Sequence, residues 1–176
     1  MWAGEVLFAD YFHPNATQYW MDMLQHLYDK IKFSGVWLDM NEISNLCNGP
    51  CSPPTKTGMD FTNDIPYHPG NDTIETQAIP LNATHYGNRL EANVHTFFGF
   101  METYATNQFL QKINRPFIIT RSNTLGSNKF GFHWTGDNYA NYEFLKTSIS
   151  SNFMFNLWGI QMVGSDICGF GGNATD

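Results

Sequence analysis

Basic side chains are scarce in this sequence, and charge of either sign is low. The 176 residues include 9 lysines and arginines against 16 acidic residues, which gives a formal net charge of −7. Such a surface repels phosphate backbones, so a basic nucleic-acid-binding protein is excluded. Only 14% of the residues are charged, while 42% are hydrophobic and 16% aromatic. That composition forms a buried core rather than a disordered chain.

Long hydrophobic runs and cysteines are also few. No stretch approaches the roughly 18 apolar residues of a membrane-spanning helix, and the first residues lack the basic and apolar regions of a secretory signal. Three cysteines leave one unpaired, and Cys47 and Cys51 share a proline-rich loop. Together with four Asn-x-Ser/Thr sequons the cysteine pair favours the secretory pathway, although chance explains any single sequon equally well. The sequons are at Asn15, Asn71, Asn82 and Asn173.

Hydrophobic periodicity predicts helices over residues 16–31 and 88–112, and a third helix after Asp137 that includes Tyr142. Asn15 is available to cap the first of them. Its predicted inward residues are Tyr19, Trp20, Met23, Leu24, Leu27, Tyr28 and Ile31. Those of the second helix are Leu90, Val94, Phe97, Phe98, Met101, Tyr104 and Leu110, and those of the third are Tyr142, Leu145 and Ile149.

Three short apolar runs predict strands at residues 35–39, 117–121 and 160–166. The order strand, helix, strand, helix, strand indicates parallel βα units. Residues from about 43 to 83 show no periodicity and contain six prolines, which predicts a loop insertion of about 40 residues. Because ordinary connections have about 4–6 residues, this segment is either a functional loop or misassigned, and the cysteine pair inside it favours an ordered loop.

Charged side chains follow the predicted strands. Asp39, Arg121 and Asp166 each stand where an apolar strand stops, and Asp137 follows a short aromatic segment in a similar position. In an α/β barrel the carboxyl ends of the strands meet at one face, so these residues are expected to converge on one pocket. For a single Asp, capping of the following helix is the better explanation. For four charged residues with Trp or Gly nearby, the pocket is preferred.

The residue types at these strand ends fit glycoside hydrolysis best. That reaction needs one carboxylate and one carboxylic acid on either side of the scissile bond, and aromatic rings provide flat surfaces for sugar faces. The six histidines show no metal-ligand spacing, and there is no nucleophile elbow for serine acyl transfer. The glycine-rich turn near Phe170 lacks the remainder of a phosphate-binding motif. We therefore expect neither a metal nor another cofactor.

Two motifs in this sequence resemble those of glycoside hydrolase family 31. The segment from Trp37 to Glu42, WLDMNE, looks like the family's nucleophile signature, and that from His133 to Asn138, HWTGDN, looks like its acid/base segment. The resemblance is nearly continuous along the chain. It is strongest to the branch that holds lysosomal acid α-glucosidase, intestinal maltases and plant secreted α-glucosidases. It implies a partial (β/α)₈ TIM barrel of the α/β class.

The resemblance also implies roles for individual residues. Asp39 matches the nucleophile that forms a glycosyl-enzyme, and Asp137 matches the acid that protonates the leaving oxygen and then activates water. Family positions that bind the sugar are matched by Trp2, Trp37, Met40, Arg121, Trp134, Asp166 and Phe170, although core packing explains each aromatic equally well. Cys168 matches a cysteine whose partner lies beyond this chain, so we predict a Cys47–Cys51 disulfide and an unpaired Cys168.

The resemblance therefore predicts the central catalytic segment of a retaining exo-α-glucosidase that acts on maltose-like α-1,4-linked oligosaccharides, in a lysosomal or secreted enzyme without a membrane span. An α/β barrel ordinarily takes about 250 residues, so residues 1–176 are expected to be a fragment of that barrel. Two alternatives stay open. The chain is a non-catalytic fragment or pseudoenzyme with residual sugar binding, or it belongs to an α-xylosidase or an α-glucan lyase.

Overall fold

The computed structural model describes residues 6–49, 51 and 74–172. The calls at Trp2, Asn71 and Asn173 lie outside these residues, as does most of the predicted 43–83 loop. The helices are α1 (Ala16–Lys30), α2 (Glu91–Val94), α3 (Phe98–Leu110) and α4 (Tyr142–Leu157). The strands are β1 (Val36–Leu38), β2 (Thr84–His85), β3 (Arg89–Leu90), β4 (Ile118–Thr120), β5 (Phe132–Trp134) and β6 (Val163–Gly164).

Strands β1, β4, β5 and β6 form one parallel sheet in that order. The register pairs Val36 with Ile118, and Ile119 with Phe132. Because the order in the sheet follows the order in the chain, each strand is added on the same side, as in a barrel and unlike a doubly wound sheet. The predicted parallel α/β class is confirmed. None of the helices described in the structure is long and apolar enough to cross a membrane.

The main core lies between the sheet and the helix pair α1 and α3. Its buried members are Met21, Leu24, Leu38, Phe109, Leu110 and Ile118. A hydrogen bond of 2.8 Å from Trp20 Nε1 to Thr106 Oγ1 joins the two helices. Burial of each large apolar side chain contributes about 1.5–3 kcal/mol, so this packing fixes the helices against the strands that carry the site.

The faces of two helices differ from those predicted. In α1 the buried residues are Ala16, Met21 and Leu24, while Tyr19, Met23, Leu27 and Ile31 are exposed. In α4 the predicted inward residues Tyr142, Leu145 and Ile149 are all exposed. In α4 no residue is buried. In α1 apolar residues occur around much of the helix, so spacing did not determine which face is covered. Asn15 precedes α1 but makes no side-chain capping hydrogen bond.

The predicted single helix over residues 88–112 is interrupted. Residues 89–90 belong to strand β3, which pairs with β2 as an antiparallel hairpin. The turn between them contains Gly87 and Asn88, both with positive φ, a geometry that glycine and asparagine tolerate. A 3-10 turn over His95–Phe97 separates α2 from α3. Phe97 is exposed, whereas Phe98 and Leu110 are buried as predicted.

Strand β5 is not one of the three strands that apolar runs predicted. Its three residues follow Gly131 and precede Gly136, so locally they resemble a turn. They become a strand because β4 and β6 pair with them on both sides. Strand β6 has two residues, fewer than the predicted 160–166.

A chain of hydrogen bonds joins the first described segment to the hairpin. His85 contacts Asp10 through Nδ1 at 3.2 Å and Glu91 through Nε2 at 2.6 Å. The Nδ1 atom of His95 contacts the second oxygen of Glu91 at 2.8 Å. Because the Glu91 side chain is fully buried, these partners replace its hydration. Two histidines that the sequence left without a role are structural.

Candidate active site

Four strands deliver the candidate site residues to one edge of the sheet. Asp39 follows β1, Arg121 follows β4, Asp137 lies three residues after β5, and Asp166 lies two residues after β6. Parallel strands end at the same edge, so residues 98 positions apart in the chain become neighbours, as Asp39 and Asp137 do. The edge opens into a cavity of about 680 Å³.

Arg121 joins the two candidate catalytic carboxylates. Its Nη1 atom lies 3.1 Å from Oδ1 of Asp39 and 3.5 Å from Oδ2 of Asp137. Both carboxylates therefore contact a single nitrogen atom, and the predicted convergence is present in the structure. A guanidinium placed between them offsets the repulsion of two like charges and fixes their separation.

Glu42 fixes Arg121 in turn. Its carboxylate accepts hydrogen bonds from Nε and Nη2 of Arg121, each at 3.0 Å, in a bidentate pair. Burial opposes the charge of the guanidinium, but the hydrogen bonds and charges of Glu42, Asp39 and Asp137 outweigh it and raise the pKa of Arg121. Sequence reasoning did not select Glu42 as a site residue, although it ends the WLDMNE motif.

The backbone is strained where it presents the carboxylates. Met40 has φ of 58° and Asp137 has φ of 43°. Residues other than glycine rarely adopt such positive φ values, which concentrate at functional sites. The Met40 amide donates to Oδ1 of Asp39 at 2.9 Å. A Cβ atom on Gly136 would overlap the indole of Trp134. The glycine of HWTGDN thus lets the chain cross the Trp134 ring and turn Asp137 towards Arg121.

Asp166 is positioned by two residues of the acid/base motif. Trp134 donates from Nε1 to Oδ1 of Asp166 at 2.7 Å. The side chain of Asn138 accepts from the Asp166 amide at 2.9 Å. Oδ2 of Asp166 is buried and has no hydrogen-bond partner among the described residues. A buried carboxylate oxygen without a partner is costly, so it suits a site that a ligand hydroxyl completes.

The six described residues that were predicted to bind substrate all line the cavity. They are Trp37, Met40, Arg121, Trp134, Asp166 and Phe170. Trp37 and Trp134 meet edge to face with ring centroids 5.1 Å apart. The cavity is also lined by residues that the sequence did not indicate, namely Ser44, Asn45, Leu46, Gln77 and Ile119. Most of them belong to the irregular segment after β1, which has no periodicity to interpret.

A disulfide follows the cavity-lining residues Asn45 and Leu46 directly in the chain. The structure joins Cys47 to Cys51 and leaves Cys168 free and exposed, in agreement with the predicted pairing. Asn45 next to the bridge donates its amide to the Gln77 carbonyl at 2.7 Å, and the Gly49 amide donates to the Ala78 carbonyl at 3.1 Å. The bridge and these bonds fix the loop that carries Leu46 to the cavity.

The remaining predicted positions lie away from the cavity. Asn15 and Asn82 are exposed on the surface, where a sequon asparagine is accessible to modification. Within residues 6–49, 51 and 74–172, no group of three or more His, Cys, Asp or Glu side chains is arranged to hold a metal ion.

Comparison with known proteins covers the whole chain. The model of the glycosyl hydrolases family 31 TIM-barrel domain matches residues 1–176. A probable alpha-glucosidase of Oryza sativa subsp. japonica is 40% identical over 182 residues, which cover 100% of this chain and 20% of that protein. Alpha-xylosidase 1 of Arabidopsis thaliana is 36% identical over 198 residues, covering 97% of this chain and 21% of that protein. The chain spans about a fifth of the length of these relatives.

A solved structure gives the same result at the level of fold. The Tris-bound glucosidase II alpha subunit superposes with a TM-score of 0.70 at 30% sequence identity, over 92% of this chain and 15% of that one. The four-stranded sheet described above is therefore part of a TIM barrel.

Proposed function

This chain belongs to glycosyl hydrolase family 31, whose TIM-barrel domain model matches it from end to end, and we propose that it carries both catalytic carboxylates of a retaining exo-α-glucosidase. The observation that supports this most directly is the contact of Asp39 and Asp137 with the same Nη1 atom of Arg121. The full enzyme removes terminal α-1,4-linked glucose from maltose-like oligosaccharides.

Asp39 acts as the nucleophile in this proposal. Its carboxylate attacks the anomeric carbon as the bond to the leaving oxygen breaks, and Asp137 gives its proton to that oxygen. Asp137, now ionised, takes a proton from water, and the resulting hydroxide attacks the same carbon and releases Asp39. Two inversions retain the α configuration.

The contacts of the two carboxylates support this assignment of roles. Oδ1 of Asp39 has two donors, Nη1 of Arg121 and the Met40 amide, which fix the orientation that a nucleophile needs. Asp137 has the longer contact with Arg121, and its side chain is 50% exposed against 33% for Asp39. Access to solvent suits the group that exchanges a proton first with the leaving oxygen and then with water.

The substrate-binding proposal rests on the cavity lining. Asp166 offers a buried oxygen without a partner among the described residues to a sugar hydroxyl, and Arg121 lines the same cavity. The rings of Trp37, Trp134 and Phe170 supply apolar surface for the faces of the sugar. Trp2 is proposed as a further wall residue on the family resemblance alone.

Azide distinguishes the roles of the two aspartates in the full-length enzyme. With α-glucosyl fluoride, which needs no acid, an Asp39→Gly variant should let azide attack directly and give β-glucosyl azide. An Asp137→Ala variant should still form the glycosyl-enzyme and give α-glucosyl azide, while its hydrolysis of maltose falls about 10²- to 10⁴-fold. Asp29→Ala, an exposed change on α1, is the matched control and should leave turnover unchanged.

Other outcomes would overturn the proposal. A wild-type enzyme that turns over neither α-glucosyl fluoride nor maltose would favour a non-catalytic protein with residual sugar binding. A β product from the Asp137 variant would contradict the assigned roles.

An α-xylosidase is the second candidate, because the Arabidopsis thaliana relative of that name is nearly as similar as the rice relative. The products decide between them. Release of glucose from maltose supports the α-glucosidase, and preferential release of xylose from an α-xyloside supports the alternative. Release of anhydrofructose would instead indicate an α-glucan lyase.

We also propose that the protein passes through the secretory pathway to a lysosome or to the cell exterior. The Cys47–Cys51 disulfide supports an oxidising compartment, and the exposed sequons at Asn15 and Asn82 are compatible with it. Mobility shifts on enzymatic deglycosylation would test sequon use.

A further inference from the structure

The side chain of Asn41 joins the two loops that carry Asp39 and Arg121. Its Oδ1 atom accepts a hydrogen bond of 2.8 Å from the Ser122 amide, and its Nδ2 atom donates to Thr120 Oγ1 at 2.7 Å. Thr120 and Ser122 are the neighbours of Arg121 in the chain. Asn41 therefore bonds to the backbone or side chain on either side of the arginine that contacts both candidate catalytic carboxylates.

The segment that carries Asp39 is attached to the neighbouring loop at both of its ends. Before Asp39, the Leu38 carbonyl accepts a hydrogen bond of 3.0 Å from the Arg121 amide. After it, the second attachment is the Asn41 side chain. Only Asp39 and Met40 stand between the two, so these attachments set the position of Asp39 relative to Arg121.

The hydrogen bonds of Asn41 are shielded from water. Asn41 is 4% exposed and Thr120 is fully buried, so water does not compete for either bond. The Thr120 hydroxyl accepts from Asn41 and in turn donates to the Ser122 carbonyl at 3.0 Å. Removal of the Asn41 amide would leave the buried Ser122 amide without its acceptor.

Helix α3 packs against both loops from the side of Gly99. A Cβ atom on Gly99 would lie 2.6 Å from the Cβ and Oγ atoms of Ser122 and 2.8 Å from the Asn41 carbonyl oxygen. The absence of a side chain at Gly99 therefore lets the helix backbone contact the joined loops, and the helix limits their movement on that side.

We propose that Asn41 is a positioning residue, whose side-chain amide fixes the loop of Asp39 against the loop of Arg121 for nucleophilic attack. The inference rests on the proposed function, since it assigns Asn41 to the alignment of the nucleophile. An amide suits this place because it supplies one acceptor and one donor, which the Ser122 amide and the Thr120 hydroxyl require. A displacement of about 1 Å at a reacting group costs about a hundredfold in rate.

Covalent labelling of the full-length enzyme by 5-fluoro-α-glucosyl fluoride tests this proposal. The fluoride leaves without a protonated acid, so the maximal labelling rate reports on attack by Asp39, and the inhibition constant reports on binding. We expect Asn41→Ala to lower the maximal rate about tenfold or more. The inhibition constant should change little, because Trp134 and Asp166, proposed to bind the sugar, belong to β5 and to the loop after β6.

Asn107→Ala is the matched control for the loss of a buried amide. Asn107 is 5% exposed, and its side chain also makes two hydrogen bonds, one to the Phe130 carbonyl and one from Gln111. It lies outside the described lining of the cavity. Both variants should lower the unfolding temperature, whereas only Asn41→Ala should lower the maximal labelling rate.

Two substitutions of Thr120 test the route through the hydrogen bond. Thr120→Val keeps the shape of the side chain but removes the hydroxyl that accepts from Asn41, so it should slow labelling. Thr120→Ser keeps the hydroxyl and should label near the wild-type rate. In the Asn41→Ala background, Thr120→Val should have little further effect on the rate.

Several results would overturn the inference. They are an Asn41→Ala variant that labels at the wild-type rate, a change confined to the inhibition constant or to the unfolding temperature, equal slowing by Asn107→Ala, and additive effects of Asn41→Ala and Thr120→Val. If Asn41→Ala fails to fold, Thr120→Val and Thr120→Ser decide by themselves, and equal labelling rates for those two would contradict the proposal. A wild-type enzyme that is not labelled would instead refute the proposed function.

Discussion

Replacement of Arg121 by Lys is the sharpest test of how the site is organised. The arginine makes four contacts with three carboxylates, two of them to Glu42 at 3.0 Å and one each to Asp39 and Asp137. A lysine keeps one positive charge but presents it as a point rather than a planar fork. If its ammonium group takes the place of Nη1 between Asp39 and Asp137, both bonds to Glu42 are lost.

The size of the effect follows from those two lost bonds. A hydrogen bond to a charged group contributes about 1.5–3 kcal/mol when it is well buried. The Glu42 side chain is 34% exposed, so water replaces part of each bond. Each bond then contributes about 1 kcal/mol. Because both bonds are already made in the free enzyme, this loss of about 2 kcal/mol lowers the free energy of unfolding. The fall in kcat/KM comes from the carboxylates that the ammonium no longer holds in place, and a displacement of about 1 Å at a reacting group lowers the rate about a hundredfold.

The assay is hydrolysis of maltose by the full-length enzyme carrying Arg121→Lys, with thermal unfolding recorded for the same preparation. Arg115→Lys is the matched control, because Arg115 is exposed and lies three residues before β4, away from the site edge of the sheet. We expect its kcat/KM to match the wild type. A kcat/KM within threefold of the wild type for Arg121→Lys would show that Arg121 does not organise the carboxylates as argued.

Two further predictions follow from single contacts. Trp134→Phe keeps an aromatic wall but removes the 2.7 Å bond to Asp166, so kcat/KM should fall about tenfold, while Trp158→Phe at the exposed end of α4 should leave it unchanged. Burial gives Glu102 on α3 a pKa of about 7 in the folded protein against an ordinary 4.5. Between pH 4.5 and about 7 its carboxyl group is therefore mostly protonated in the folded state and mostly ionised in the unfolded state. Stability should therefore fall as pH rises from about 4.5 to 7, by about 3 kcal/mol at most. As pH rises over this range, the unfolding temperature of Glu102→Gln should increase relative to that of the wild type. If the unfolding temperatures of the two proteins changed in parallel with pH, the assigned pKa would be contradicted.

The candidate site was largely predictable because its residues follow strand ends. Asp39, Arg121 and Asp166 each stop an apolar run, and parallel strands bring such positions to one edge. The chemical roles proposed for Asp39 and Asp137 rest on the resemblance of two short motifs to a known family. Glu42, Asn41 and Asn138 lie inside those motifs but were not selected, because their partners are 28 to 81 residues away in the chain.

Long-range contacts explain where the predictions failed. Strand β5 needs both neighbours to form, the hairpin at β2 and β3 interrupts the predicted helix, and the buried face of α1 is chosen by the helix α3 that packs on it. Apolar spacing reports which residues share a face, but the fold decides which face is covered.

The amino-acid sequence by itself determined the class of fold, the approximate helices and the positions of the carboxylates at strand ends, because period, strand-end position and local motifs are properties of short segments. Only the tertiary structure decided that one nitrogen of Arg121 contacts both Asp39 and Asp137, that Glu42 fixes that arginine, and that Asn41 joins the two loops. These arrangements depend on distances between residues that are far apart in the chain, and packing of the helices against the sheet sets those distances.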